Sequence, residues 1–132
     1  QNMHKALIDR LTYLSKRKKP IVATFRCDSQ INRASYMSLM KSVQKAELSN
    51  RKIKAVAFVV NSPGGSPAYS SLMGDRICQF AKIRNVPFYT FAEDYAASGG
   101  YWLLCMGDEV YGHDASLIGS IGVISAASAY KQ

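Results

Sequence analysis

The chain has 132 residues, 48% of them hydrophobic, with 17 Lys/Arg against nine Asp/Glu and a formal net charge of +8. That length and apolar fraction suffice for one domain with a buried core, over residues 1–132, and exclude a low-complexity or disordered chain. No apolar run reaches the roughly 20 residues that a membrane-spanning helix needs, and the N-terminus lacks the apolar stretch of a signal peptide.

Leu7, Ile8, Leu11 and Leu14 fall at helical spacing and stop before Pro20, which predicts an amphipathic helix over 2–18. The run Lys16-Arg17-Lys18-Lys19 closes it. Two readings stand: a solvated helix end whose cations suit the C-terminal dipole, or a contact with the headgroups of an anionic membrane surface. No aromatic or glycine motif of a nucleic-acid module accompanies the run, so nucleic acid is not expected as a partner. The basic character belongs to the first half of the chain: residues 1–54 carry 13 Lys/Arg against three acids, and residues 55–132 carry four against six.

The segment 20–26, PIVATFR, predicts a strand, and Tyr36, Leu39, Met40 and Val43 predict a helix over 33–48. IKAVAFVV, 53–60, is an apolar, β-branched run of the kind buried on both faces of a parallel sheet. A helix at 67–83, a strand at 86–92, a short helix at 97–106 and strands at 109–112 and 121–125 follow. This alternation argues for an α/β fold, a mainly parallel sheet with helices packed on it. Ligands in such sheets bind beyond the carboxyl ends of the strands, and both glycine-rich turns lie there. Cys27, Cys78 and Cys105 are odd in number, far apart and set in apolar surroundings, so they are expected as buried thiols. Neither a disulfide framework nor a metal knuckle is indicated, and no cofactor is expected.

The first turn is NSPGGSP, 61–67. Pro63 ends the strand, Gly64 and Gly65 permit close backbone approach, Ser66 can cap a helix and Pro67 suits its first turn. Such a turn leaves amides pointing outward and can cradle an anion or an oxyanion. It lacks the Lys-Ser/Thr of a phosphate-binding loop and the third glycine of a dinucleotide fingerprint. The second turn, EDYAASGGYWLL at 93–104, opens a helix at Ser98. Two neighbouring strand ends would bring the Gly64-Gly65 amides and the Ser98 hydroxyl together, the arrangement of an oxyanion hole beside a nucleophile.

NSPGGSP, AASGGYWLL and GSIGVIS, in this order between about Ala55 and Ser125, resemble the signal peptide peptidase A/SohB family of serine proteases. The resemblance implies a fold similar to Clp proteases and crotonases, a spiral of ββα units, and peptide cleavage by a serine–lysine dyad. It implies Ser98 as nucleophile, the Gly65 and Gly99 amides as oxyanion donors and Ser120 as a serine that orients the lysine. It further implies peptide substrates derived from signal peptides or membranes, a homo-oligomer and membrane association.

The family's lysine lies further along the chain than Lys131, in a different local context, so the base is expected beyond Gln132 and the chain is expected to be a fragment truncated at its C-terminus. His113 beside Asp114 does not replace it, because adjacent side chains point in different directions; His113 is expected in a loop, and Glu93 and Asp94 fail as an acid/base pair for the same reason. Two other readings belong to different classes: a crotonase-type acyl-CoA enzyme, which needs no nucleophilic serine, and a noncatalytic membrane-protein scaffold.

Overall fold

The computed structural model describes residues 2–16 and 19–122. Helix α1, Asn2–Lys16, is followed by β1, Ile21–Cys27, then α2, Arg33–Glu47, and β2, Ile53–Ser62. Then come α3, Pro67–Arg84, β3, Phe88–Ala97, α4, Gly99–Leu104, and two short strands, β4, Glu109–Tyr111, and β5, Leu117–Gly119. All strand pairs are parallel, in the order β1-β2-β3-β4, with β5 also on β3.

Local chemistry sets the helix boundaries. Asn32 caps α2 by accepting from the amides of Ala34 and Ser35, and Ser35 returns a bond from the Asn32 amide. Ser66 caps α3 by accepting from the Tyr69 amide, Pro67 occupies the first turn, and Asn85 ends the helix in a left-handed conformation.

Strand order decides which face of the sheet is covered. Parallel βαβ crossovers take one hand, and here every step from β1 to β4 moves to the next strand on the same side, so the crossover helices fall on one face. On that face Phe25, Val56, Phe58 and Val60 meet Leu39 and Val43 of α2 and Met73, Ile77 and Phe80 of α3. Phe25 and Phe80 pack edge to face, with centroids 5.4 Å apart. Thr90, fully buried, donates to the Leu104 carbonyl at 2.5 Å. Among the described residues no buried side-chain nitrogen or oxygen lacks a partner.

The opposite face corrects the expectation of burial on both sides. Val22, Thr24 and Arg26 of β1 are exposed, Val59, Tyr89 and Phe91 are half-buried, and Phe91 stacks on the exposed Tyr111 at 5.2 Å. A second correction concerns α1: every described side chain from Met3 to Thr12 is exposed, so this helix does not pack on the sheet.

The last strand also departs from expectation. β3 runs on to Ala97, and its far end offers an edge that Leu117–Gly119 takes, Tyr95 opposite Leu117 and Ala97 opposite Gly119. Ile121 and Gly122 lie outside that strand, and 123–125 fall outside the described residues. So do Arg17 and Lys18 of the basic run, and Lys131.

Burial fixes where substitution is costly. Phe58→Ala should lower the unfolding free energy by about 3–5 kcal/mol, whereas Leu11→Ala should change it by less than about 0.5 kcal/mol, as denaturant titration would show.

Candidate active site

The site is built on the carboxyl ends of β2 and β3. Beyond Ser62, residues Pro63 to Ser66 form a turn held from one side by Ile31. The Ile31 amide donates to the Gly64 carbonyl, and the Ser66 amide donates to the Ile31 carbonyl, both at 2.8 Å. This is one rung of parallel ladder made outside any strand. The buried Ser62 hydroxyl donates to the Ser29 carbonyl at 2.7 Å and accepts from the Gly64 amide at 3.1 Å.

These bonds account for the amides of Gly64 and Ser66. The Gly65 amide, between them, has no partner among the described residues. Residues alternate direction along a ladder, so it points away from Ile31. It borders a cavity of about 390 Å³. Only glycine fits here: Gly65 sits at φ +150°, and a Cβ on it would run into the Ile31 carbonyl oxygen. Gly64 is as tight, since a Cβ there would lie 2.7 Å from Ser98 Cβ and 2.8 Å from the Gly99 nitrogen.

That closeness brings the two turns together. Ser98 joins β3 to α4 with φ 53° and ψ −119°, a conformation that a residue with a Cβ rarely adopts. Its amide donates to the Gly119 carbonyl at 2.9 Å and its carbonyl accepts from the Trp102 amide at 3.1 Å, so the surroundings hold it there. The Ser98 side chain makes no capping bond and is exposed to the cavity. Gly99 opens α4, where first-turn amides have no partner within the helix.

Gly65, Ser98, Gly99 and Ser120, four positions singled out in the sequence, all line this cavity. Pro67, Tyr101, Trp102, Cys105 and Ile121 complete much of its wall. Ser120 carries a left-handed φ of 58° and follows Gly119, whose carbonyl holds Ser98. Among the described residues the lining contains no lysine, histidine or carboxylate.

His113 and the two adjacent acids are elsewhere. His113 Nδ1 accepts from the Ala115 amide at 3.1 Å in an exposed loop. Glu93 pairs with Arg26 at 2.6 Å, and Arg26 is also bound to Asp28; Asp94 accepts from Asn61 at 3.4 Å. The cysteines correct the expectation of three buried thiols. Cys27 is buried and Cys78 half-buried, but Cys105 is exposed, because it caps the short α4 at the cavity wall. Burial pushes the Cys27 and Cys78 thiols up from their usual pKa.

Two contributors carry no sequence motif of their own. Ile31 acts through its backbone, which any residue type supplies. Ser62 stands inside NSPGGSP, but only its burial shows that its hydroxyl orients Gly64.

Residues 81–132 match the model of Peptidase family S49. A putative signal peptide peptidase SppA of Enterococcus faecium is 31% identical over 102 residues, 77% of this chain and 28% of that protein. A Brucella melitensis protein named Na(+)/H(+) antiporter NhaA is 44% identical over 78 residues, 59% of this chain and 11% of that protein. A share so small does not carry that name over. The chain thus spans less than a third of these curated relatives. A mutant of a membrane-bound stomatin-specific protease, solved with a substrate peptide, superposes with a TM-score of 0.66 at 22% identity, over 83% of this chain and 49% of that one. The ClpP protease catalytic domain of Plasmodium falciparum gives a TM-score of 0.52 at 18% identity, over 74% and 49%.

Fold and turn geometry define the class, an α/β domain of the Clp protease type with a serine on a strained strand-to-helix turn. Over residues 81–132 the chain matches peptidase family S49, and the resemblance of its motifs to the signal peptide peptidases is borne out.

Two outcomes follow from the geometry. Ser62→Ala leaves the Gly64 amide buried without its acceptor and should cost about 1–3 kcal/mol in denaturant titration. With a thiol reagent at neutral pH, Cys105 should react first and Cys27 only on unfolding, as peptide mapping of the labelled chain would show.

Proposed function

We propose that the protein is a serine endopeptidase in which Ser98 is the nucleophile. The observation that carries this is the free Gly65 amide bordering the same cavity as the exposed Ser98 hydroxyl. Ser98 Oγ attacks the scissile carbonyl carbon and gives its proton to a lysine. The carbonyl oxygen becomes an oxyanion that accepts from the Gly65 and Gly99 amides. The lysine then protonates the leaving amine as the C–N bond breaks, and water hydrolyses the resulting ester. Ser120 orients the lysine, which is supplied by chain outside Gln1–Gln132. No cofactor takes part.

The substrates are extended peptides derived from signal peptides or other membrane proteins, and the wall of Pro67, Tyr101 and Trp102 suits their apolar side chains. Supporting this reading, a relative bears the name signal peptide peptidase, and a neighbour of the same fold was solved with a substrate peptide. The enzyme works as a homo-oligomer at an anionic membrane surface.

In the full-length protein, Ser98→Ala should abolish peptide cleavage, and a serine-directed phosphonate should label Ser98. Label on another serine, or undiminished cleavage by the variant, rejects the assignment. A lysine base is active only when neutral, so the rate should fall about tenfold per pH unit below its pKa and level off above it. Ser120→Ala should lower kcat by about 10-fold or more and move that acid limb, whereas a merely structural role would leave the limb in place.

A further inference from the structure

We propose that the end of the sheet opposite Ser98, together with α1, is a docking surface for an anionic lipid bilayer, so that the Ser98 cavity faces the aqueous phase. This deepens the membrane-surface reading above and does not depend on Ser98 being a nucleophile.

The first observation is the location of the charge. Because the strands are parallel, the N-terminal ends of β1 to β4 share one edge of the sheet, and the C-terminal turns of α2 and α3 reach the same edge. Lys19, Lys45, Arg51, Lys52, Lys54 and Lys82 cluster there, all exposed. Arg51 donates to the Lys19 carbonyl at 3.3 Å, which ties the approaches to β1 and β2 together. The acids of that edge are largely engaged: Glu47 pairs with Arg76 at 2.7 Å, Asp108 accepts from the Phe88 amide at 2.8 Å, and Glu109 accepts from the Tyr111 hydroxyl. Asp28, Glu93, Asp94 and Asp114 lie instead toward the carboxyl ends. Exposed cations thus gather at the amino ends of the strands, and this basic end is complementary to an anionic surface.

The second observation is α1, which enters the sheet at the basic end. Met3, Leu7, Ile8 and Leu11 are 86%, 57%, 55% and 57% exposed and share one side of the helix, with His4 the one polar residue among them. Lys5 and Arg10 border the stripe, the positions from which cations reach headgroups while their stems stay apolar. No described residue covers the stripe, and among the described residues no helix is long and apolar enough to span a membrane. An unpartnered apolar stripe bordered by cations suits a helix lying in the headgroup layer. β2 alone, with ten residues at about 3.3 Å each, keeps the Ser98 end about 30 Å from that layer.

Vesicle sedimentation of the full chain tests the surface. Phosphatidylcholine vesicles containing phosphatidylserine should bind the protein, pure phosphatidylcholine should bind it at least about tenfold more weakly, and salt should weaken the contact as screening shortens. Leu7→Glu with Leu11→Glu, and separately Lys52→Glu with Lys54→Glu, should each lower binding about tenfold or more at unchanged melting temperature. Orientation is read from Trp102, the single tryptophan, beside the site. Brominated lipid should leave Trp102 unquenched yet quench a tryptophan placed by Leu11→Trp in a Trp102→Phe background. Equal binding to neutral vesicles, insensitivity to either pair of substitutions, or quenching of Trp102 overturns the proposal. So does a result in which the α1 substitutions only dissolve a dimer, or the basic ones only release nucleic acid. Loss of the peptidase assignment would leave all of these outcomes unchanged.

Discussion

The rung between Ile31 and the Gly64–Ser66 turn is the constraint on which the site depends. Two hydrogen bonds of 2.8 Å fix the turn at its second glycine, and in doing so they direct the amide of that glycine away from Ile31. The Ser62 hydroxyl secures the preceding amide. An anion site made of backbone amides works only if those amides cannot turn aside, and here each neighbouring donor is already engaged. The glycines are therefore dictated by two surfaces at once: the Ile31 backbone on one side and the Ser98 turn on the other.

The strain at Ser98 is the counterpart of that rigidity. A serine at φ 53° is held by bonds to the Gly119 carbonyl and from the Trp102 amide, while Gly64 packs against its Cβ. Such a conformation survives where the surroundings over-determine it, and this turn is clamped by β5, α4 and the β2 turn together. β5 exists because β3 continues past its pairing with β4. The same extension that creates an edge for Leu117–Gly119 carries Ser98 to the mouth of the cavity and brings Ser120 beside it.

Strand order organises the rest. Sequential crossovers to the same side place α2, α3 and α4 on one face, leave Phe91 half-buried and Tyr111 exposed on the other, and gather the N-terminal ends of β1 to β4 at one edge. Function and charge consequently separate along the strand direction: glycine turns and cavity at the carboxyl ends, exposed lysines at the amino ends.

Much of this was legible in the residues. Apolar periodicity marked α2, a β-branched run marked β2, and Pro63, Ser66 and Pro67 marked the end of one element and the start of the next, because these features act through contacts a few residues apart. The glycine-rich turns and Ser98 were legible for a related reason: a turn that excludes side chains restricts its residues to a few types. What the chain order could not express is contact between distant segments. The supporting roles of Ile31 and Ser62, the exposure of Cys105, the placement of the last strand at Leu117–Gly119, the uncovered stripe of α1 and the open face of the sheet all depend on which surfaces meet. A backbone contact such as that of Ile31 leaves no mark on residue type, and burial is a property of the neighbour as much as of the residue. The sequence by itself determined the elements and the chemistry of the two turns; only the tertiary structure decided that they share one cavity, because hydrogen bonds between segments more than thirty residues apart set that distance.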